Sequence, residues 1–306
     1  MIEKYNVECF VICREQFGTD GYTLWGGYYN QGYYPSKKNI FMPAQTKEQQ
    51  LNAPVFRLLG PDPMYQYDLG LDEHYNSTGY QRVRTLEPIW SCGQNPQWVD
   101  WYFHSNFEME NMGFSYTQTG QENSFLWEKF EEALKMQLDK IKVGIAEKGW
   151  EALTLRDTAR RFKDTYDVTP PTAITALTDW QNEGHQSVWF NCKFYRANFY
   201  RHDGLIGIRD IHLFDENHPE RYTEEPTQEH CAIYDTLPIV DGFRWGGNDI
   251  RSILYLTDAN KNYLSAEIVS VESLEEQNIN QGFDGFLKKF QFFFIFSFFS
   301  LFFDKN

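Results

Sequence analysis

The sequence predicts an α/β protein: a (β/α)-barrel-like domain over residues 1–180, then an antiparallel β-rich domain over 181–275. Three observations lead there. Short apolar, β-branched segments are each followed by a helix-start signal, which is the pattern of strand–helix units. From Gln186 onward the texture changes to alternating apolar and polar residues with turn signals, the pattern of hairpins. Residues 276–306 are low-complexity and Phe-rich, and are expected to lie outside the fold.

The first strand is expected within Val7–Cys13 and the second at Val55–Leu59. Between them runs Gly18 to Pro35, which alternates glycine with aromatics and has neither helical nor strand period. It reads as a lid or wall over a cleft, with Trp25, Tyr28, Tyr29, Tyr33 and Tyr34 available for stacking. Thr46 with Gln49 suggests a short helix start ahead of Pro54. Gly60-Pro-Asp-Pro63 forces turns and offers Asp62 and Asp68. A third strand is placed at Leu86–Trp90, and Asn95-Pro96 then caps a helix containing Trp98, Val99, Trp101, Tyr102 and Phe103. The fourth strand is Phe114–Thr119, followed by a helix capped by Asn123 or Ser124 in which Phe125, Leu126, Phe130, Ala133, Leu134, Gln137, Leu138 and Ile141 recur at helical spacing.

Thr154-Leu-Arg-Asp157 opens a further helix, and Ala173–Thr178 is the fifth strand, ending at Asp179 and Trp180. Five units stand where a closed barrel has eight. Either some units are irregular or the barrel lacks its beginning. Val188–Tyr200 and Leu205–Phe214, joined through His202-Asp-Gly204, form one hairpin; Arg251–Leu256 and Tyr263–Val271 form another. In the tail, Gln291–Phe303 is uncharged, but its apolar part is shorter than the ~20 residues of a spanning helix, so no membrane partner is expected apart from this Phe-rich tail, which leaves a short membrane-associating segment as the alternative.

Composition excludes some functions. With 28 Lys plus Arg against 43 Asp plus Glu, the net charge of −15 repels phosphate backbones, so nucleic acid is not an expected partner. Aromatics reach 18% of the chain, many beside Gly, Asn and Gln, a setting suited to sugar rings with their C–H faces and hydroxyls. The odd, scattered set Cys9, Cys13, Cys92, Cys192 and Cys231 reads as reduced thiols. With no signal-peptide core at Met1–Phe10, a cytoplasmic location is expected, or secretion if an N-terminal portion is missing. No cofactor is expected, because no GxGxxG or P-loop follows a strand, and without a GxSxG elbow a serine hydrolase is disfavoured. Asp210, Asp215 and Glu216 cluster with His212 and His218, but without HxH or HExxH spacing, so no metal site is assigned.

Glycosidic cleavage generally uses two carboxyls flanking the bond, about 5 to 9.5 Å apart. Glu87 and Glu122 are delivered by neighbouring predicted strands and are the candidate catalytic pair. Glu87, between Leu86 and Pro88, would be protonated by desolvation and act as the acid, whereas Glu122, among Gln118, Gln121 and Asn123, would stay charged. Helix-start electrostatics for Glu122, and a buried ion pair of Glu87 with Arg84 or Arg57, explain the same residues without catalysis. Candidate substrate-binding residues are Asp20, Trp25, Tyr28, Tyr29, Asp62, Tyr65, Asp68, Trp90, Gln118 and Asp179.

The runs Leu24–Tyr34, Pro54–Pro63 and Ile208–Glu216 resemble an uncharacterised bacterial family grouped with glycoside-hydrolase-type (β/α)-barrel proteins. The resemblance covers residues 5 to about 255 and implies a sugar-active barrel without naming a catalytic residue. The His pair expected of barrel polysaccharide deacetylases is not evident. The expected function is a carbohydrate-active hydrolase acting on a carbohydrate substrate, the alternative being a non-catalytic carbohydrate-binding protein.

Overall fold

A computed structural model describes residues 2–12, 27–57, 60, 62–64, 85–89, 91–109, 111–121, 124–226, 228, 237–241 and 254–264. Its main feature is a six-stranded antiparallel sheet in the order β3-β4-β5-β6-β7, with β8 also paired to β6. These strands are β3 (Thr172–Ala176), β4 (Gln186–Cys192), β5 (Tyr195–His202), β6 (Leu205–Leu213), β7 (Leu237–Asp241) and β8 (Leu254–Tyr255). Parallel pairing among the described residues is confined to β1 (Phe10–Ile12) and β2 (Val55–Arg57), of three residues each.

The (β/α)-barrel is therefore corrected: a barrel requires successive parallel strands around a closed ring, and no ring closes among the described residues. Two of the expected strands explain why. Around Leu86 a backbone bond joins Leu86 N–H to the Gly60 carbonyl at 3.2 Å, but Pro88 has no N–H with which to extend a ladder. Residues 114–121 form no strand, and the Phe114 N–H is satisfied instead by the Gln31 side chain at 3.2 Å. The expected fifth strand does form, as β3, but it pairs antiparallel with β4.

Strands β4, β5 and β6 carry different chemistry on their two faces because successive side chains point oppositely. One face presents Val188, Phe190 and Cys192 from β4, Tyr195, Ala197 and Phe199 from β5, and Ile206 and Ile211 from β6, all buried in one cluster. The other face presents Ser187, Trp189, Asn191, Arg196, Asn198 and Asp210, and these are buried as well. Between Asn198 and Phe199 the register shifts, so that Asn198 faces Asp210 and Phe199 faces Ile208. Arg209 is the extra residue of this bulge, which lets both it and Asp210 reach partners on the polar side.

The β5–β6 turn forms where expected, with Asp203 at φ 50° and Gly204 at φ 75°. Val188–Tyr200 is two strands rather than one, broken by a turn at Lys193-Phe194. Thr46-Gln49 keeps only a turn contact.

Helix α1 (Ser91–Gln94) leads into α2 (Pro96–Phe107), where the Asn95 side chain accepts from the Gln97 and Trp98 N–H groups and Pro96 occupies the first turn. α2 buries Trp98, Val99, Trp101, Tyr102 and Phe103 in one aromatic cluster. The next helix, α3 (Glu131–Glu147), starts later than Ser124 would cap it, after a 3₁₀ turn at Trp127–Lys129. Phe130 precedes it without a side-chain cap, leaving Glu131 and Glu132 to complement the helix dipole. α3 buries Ala133, Gln137 and Gly144, whereas Leu138, expected on the core face, is exposed. α4 (Leu155–Thr165) is capped by Thr154, which accepts from the Asp157 N–H at 3.2 Å.

Candidate active site

The segment Thr85–Ile89 is held from several sides. Gln137 of α3, fully buried, donates through Nε2 to the carbonyls of Leu86 at 2.8 Å and Gly93 at 2.7 Å. Gly93 of α1 lies so close that a Cβ there would meet the Glu87 carbonyl oxygen at 2.1 Å. Only glycine allows this approach. The Glu87 N–H donates to Thr85 Oγ1 at 3.2 Å.

The Glu87 side chain is 2% exposed. Its Oε1 accepts from Gln121 Nε2 at 2.7 Å, and Gln121 Oε1 accepts in turn from the Ile89 N–H at 2.9 Å. Two residues back along the chain, Thr119 Oγ1 is buried with no hydrogen-bond partner. Two further back, Thr117 Oγ1 lies 3.2 Å from the Tyr102 hydroxyl. Burial pushes the Tyr102 phenol up to about 12, against the opposing effect of its bonds with Thr117 and Asn30. Asn30 Oδ1 is a second buried acceptor that makes no hydrogen bond.

Asp62 is buried beside this group. Its Oδ2 accepts from Trp98 Nε1 at 3.0 Å, and its Oδ1 from the Met64 N–H at 2.7 Å. Trp98 stacks on Tyr102 with centroids 5.2 Å apart. Asp62, Trp98, Tyr102, Thr117 and Asn30 are thus linked by direct contacts, and the 117–121 segment connects them to Glu87.

Of the other expected site residues, Tyr29 reaches this group through Asp62, whereas Tyr28, Tyr33, Tyr34 and Asp179 have partners elsewhere. Tyr28, Tyr29, Tyr33 and Tyr34 are buried, not laid open on a loop. The Tyr28 hydroxyl donates to the Pro170 carbonyl, Tyr33 to Ile40 and Tyr34 to Tyr166. Tyr29 lies flat on Trp189, with centroids 3.9 Å apart and rings at 9°; its N–H donates to Asn191 Oδ1 and its hydroxyl to the Asp62 carbonyl. Asp179 accepts three backbone N–H groups, those of Gln181, Glu183 and His185, and so staples its own turn. Gln118 is half-buried. Glu122, Asp20, Trp25, Tyr65, Asp68 and Trp90 lie outside the described residues.

A second polar cluster forms around Asp210, which the sequence grouped with Asp215, Glu216, His212 and His218 but not with Arg196. Arg196, fully buried, donates to Asp210 through Nε at 2.9 Å and Nη2 at 3.3 Å, and to the Gly27 carbonyl through Nη1 at 3.2 Å. His212 Nδ1 is 3.1 Å from Asp210 Oδ2. Burial alone would raise the Asp210 carboxyl, but Arg196 and His212 hold it down at about 2. Glu216 accepts from Ser36 Oγ and the Gln45 N–H. Asp210, His212 and Glu216, grouped in sequence, are thus spent on tying the sheet to residues 27–45. The readable signal was the i, i+2 polar row Arg196, Asn198, Tyr200 in β5, which a strand with one solvated face would also show. Among the described residues no group of three or more His, Cys, Asp or Glu could hold a metal ion. No described helix is long and apolar enough to cross a membrane.

No protein-family model and no curated protein matches this chain. A solved structure from Parabacteroides distasonis, named as a candidate glycoside hydrolase/deacetylase, is similar with a TM-score of 0.53 at 18% sequence identity. The match covers 78% of this chain and 57% of that one, so this chain spans little more than half of that structure's length. At this identity the likeness is one of fold.

Proposed function

We propose that this protein is a carbohydrate-active hydrolase that cleaves a glycosidic bond with Glu87 and Glu122 as its paired carboxyls. The observation that carries the reading is Glu87: a carboxyl 2% exposed, gripped by an amide that is itself fixed, on a segment clamped from behind by Gln137 and Gly93. A buried carboxyl is costly to keep, and such groups concentrate where chemistry uses them. Asn30 Oδ1 and Thr119 Oγ1 add buried acceptors without donors, which suit sugar hydroxyls. The name carried by the similar solved structure supports the same class coarsely.

In this reading one carboxyl protonates the leaving oxygen while the other attacks the anomeric carbon or activates water. Gln118, half-buried on the segment that carries Gln121, is the proposed substrate contact among the described residues. The test is a glycoside-panel screen of the full chain, with Glu87→Gln and Glu122→Gln alongside. Each substitution is expected to lower kcat by about 10³-fold, within the range for a lost acid or base. Activity that survives both substitutions sinks the assignment, and sugar binding without turnover returns the binding-protein alternative.

A further inference from the structure

Helices α2 and α3 leave a cleft of about 560 Å³ between them, a volume within the range of small-molecule sites. On α3, Met136, Asp139, Lys140 and Val143 recur at three- and four-residue spacing, so a single helical face lines it. Asp100 and Phe103 do the same from α2. Lys140 pairs with Asp100 and Lys148 with Glu108, and each pair ties one helix to the other. Eight residues separate the two pairs on both sides, which sets these rungs about 12 Å apart along the helices. Between them the wall is apolar, made by Phe103, Met136, Val143 and Trp150.

Charge and ring packing decide what such a cleft can take. Three carboxylates, Asp100, Glu108 and Asp139, face two ammonium groups, those of Lys140 and Lys148. Both lysines are committed to the rungs. Asp139 is exposed and makes no ion pair or side-chain hydrogen bond among the described residues; Lys135, one turn before it, pairs with Glu131 instead. An anionic guest would therefore meet an excess of negative charge in the lining, and −15 on the whole chain. A sugar ring would need an open aromatic face. Phe103 is buried, and the Trp150 indole is enclosed: a Cβ at Gly144 would meet its Cε3 at 2.0 Å, and its centroid lies 4.9 Å from that of Phe107 and 5.4 Å from that of Phe103. An apolar body with one cationic head satisfies both constraints.

We propose that the α2–α3 cleft is a binding site for a small organic ammonium, with its apolar or aromatic body against Phe103, Met136 and Val143 and its charged head on Asp139. The site is separate from the hydrolase reading and stands or falls without it.

The experiment is isothermal titration calorimetry of the full chain with phenylpropylamine, phenylpropanol and phenylpropionate, which share nearly one body and carry a cationic, a neutral and an anionic head. The amine is expected to bind about fivefold tighter than the alcohol, the upper range for an exposed ion pair, and the propionate weakest of the three. Asp139→Asn, at an exposed position, should bring the amine to the level of the alcohol and leave the alcohol unchanged. Val143→Trp, also at an exposed position, fills the cleft and should abolish binding of both. Equal binding of the three probes overturns the proposal, as does no binding of any. So does an amine preference that survives Asp139→Asn, or binding that survives Val143→Trp.

Discussion

Arg196→Met removes the cation from the most deeply buried ion pair of the sheet. The guanidinium makes two bonds to Asp210 and one to the Gly27 carbonyl, at 2.9, 3.3 and 3.2 Å, with both members of the pair fully buried. Without it, Asp210 keeps its His212 contact but loses its main counter-charge, and a buried carboxylate so stripped costs about 3–5 kcal/mol. For a chain of this size that is a fall in Tm of roughly 6–10 °C. Urea unfolding followed by tryptophan fluorescence should show a lower midpoint at unchanged slope. Arg196→Met/Asp210→Leu should recover more than half of the loss, because an apolar pair of similar shape leaves no buried charge behind. The pH dependence carries the same signature. Asp210 is depressed in the fold to about 2, so its stabilisation is present above the unfolded carboxylate range near ~4 and is lost as pH falls through the folded value. That acid-range loss should shrink in Arg196→Met. A single variant costing under about 1 kcal/mol, or a double variant costing the sum of the singles, would refute the reasoning.

Two further outcomes follow from packing and titration. Gly144→Ala should gain up to about 1 kcal/mol of helix propensity in α3 yet destabilise overall, because its Cβ would meet Trp150 Cε3 at 2.0 Å; thermal unfolding decides the sign. The His185 ring is lowered from its ordinary value by burial and then by His202, against which it stacks at 3.9 Å. Its unfolded form therefore binds the proton more readily, and stability is full above about pH 6.5 and declines as pH falls below it. His185→Gln should flatten that decline in urea midpoints measured across the range, and an unchanged slope would contradict it.

Local signals were legible where they are self-contained. Asn95-Pro96 and Thr154-Leu-Arg-Asp157 specify caps by residues within one turn, and both caps form. Asp203-Gly204 specifies a hairpin turn, and it forms. Partners were not legible. Ala173–Ala176 is apolar on both faces, as a barrel strand would be, and nothing local says that its neighbour is antiparallel β4. Tyr28 and Tyr29 sit in a glycine-rich run that reads as surface, and only distant Pro170, Trp189 and Asn191 make it interior. Glu87 was singled out by its flanking residues, but a hydrogen-bond partner of its side chain, Gln121, lies thirty-four positions away.

The polar face of the sheet also bears on how the chain is made. Tyr29 bonds to Asn191 across 162 positions, Gly27 to Arg196 across 169, and Ser36 to Glu216 across 180. On a ribosome working from the N-terminus, the early segment emerges with its partners still unwritten. Its tyrosines must wait in water or on a chaperone until more than half of the protein exists, and such delayed, distant closure slows folding.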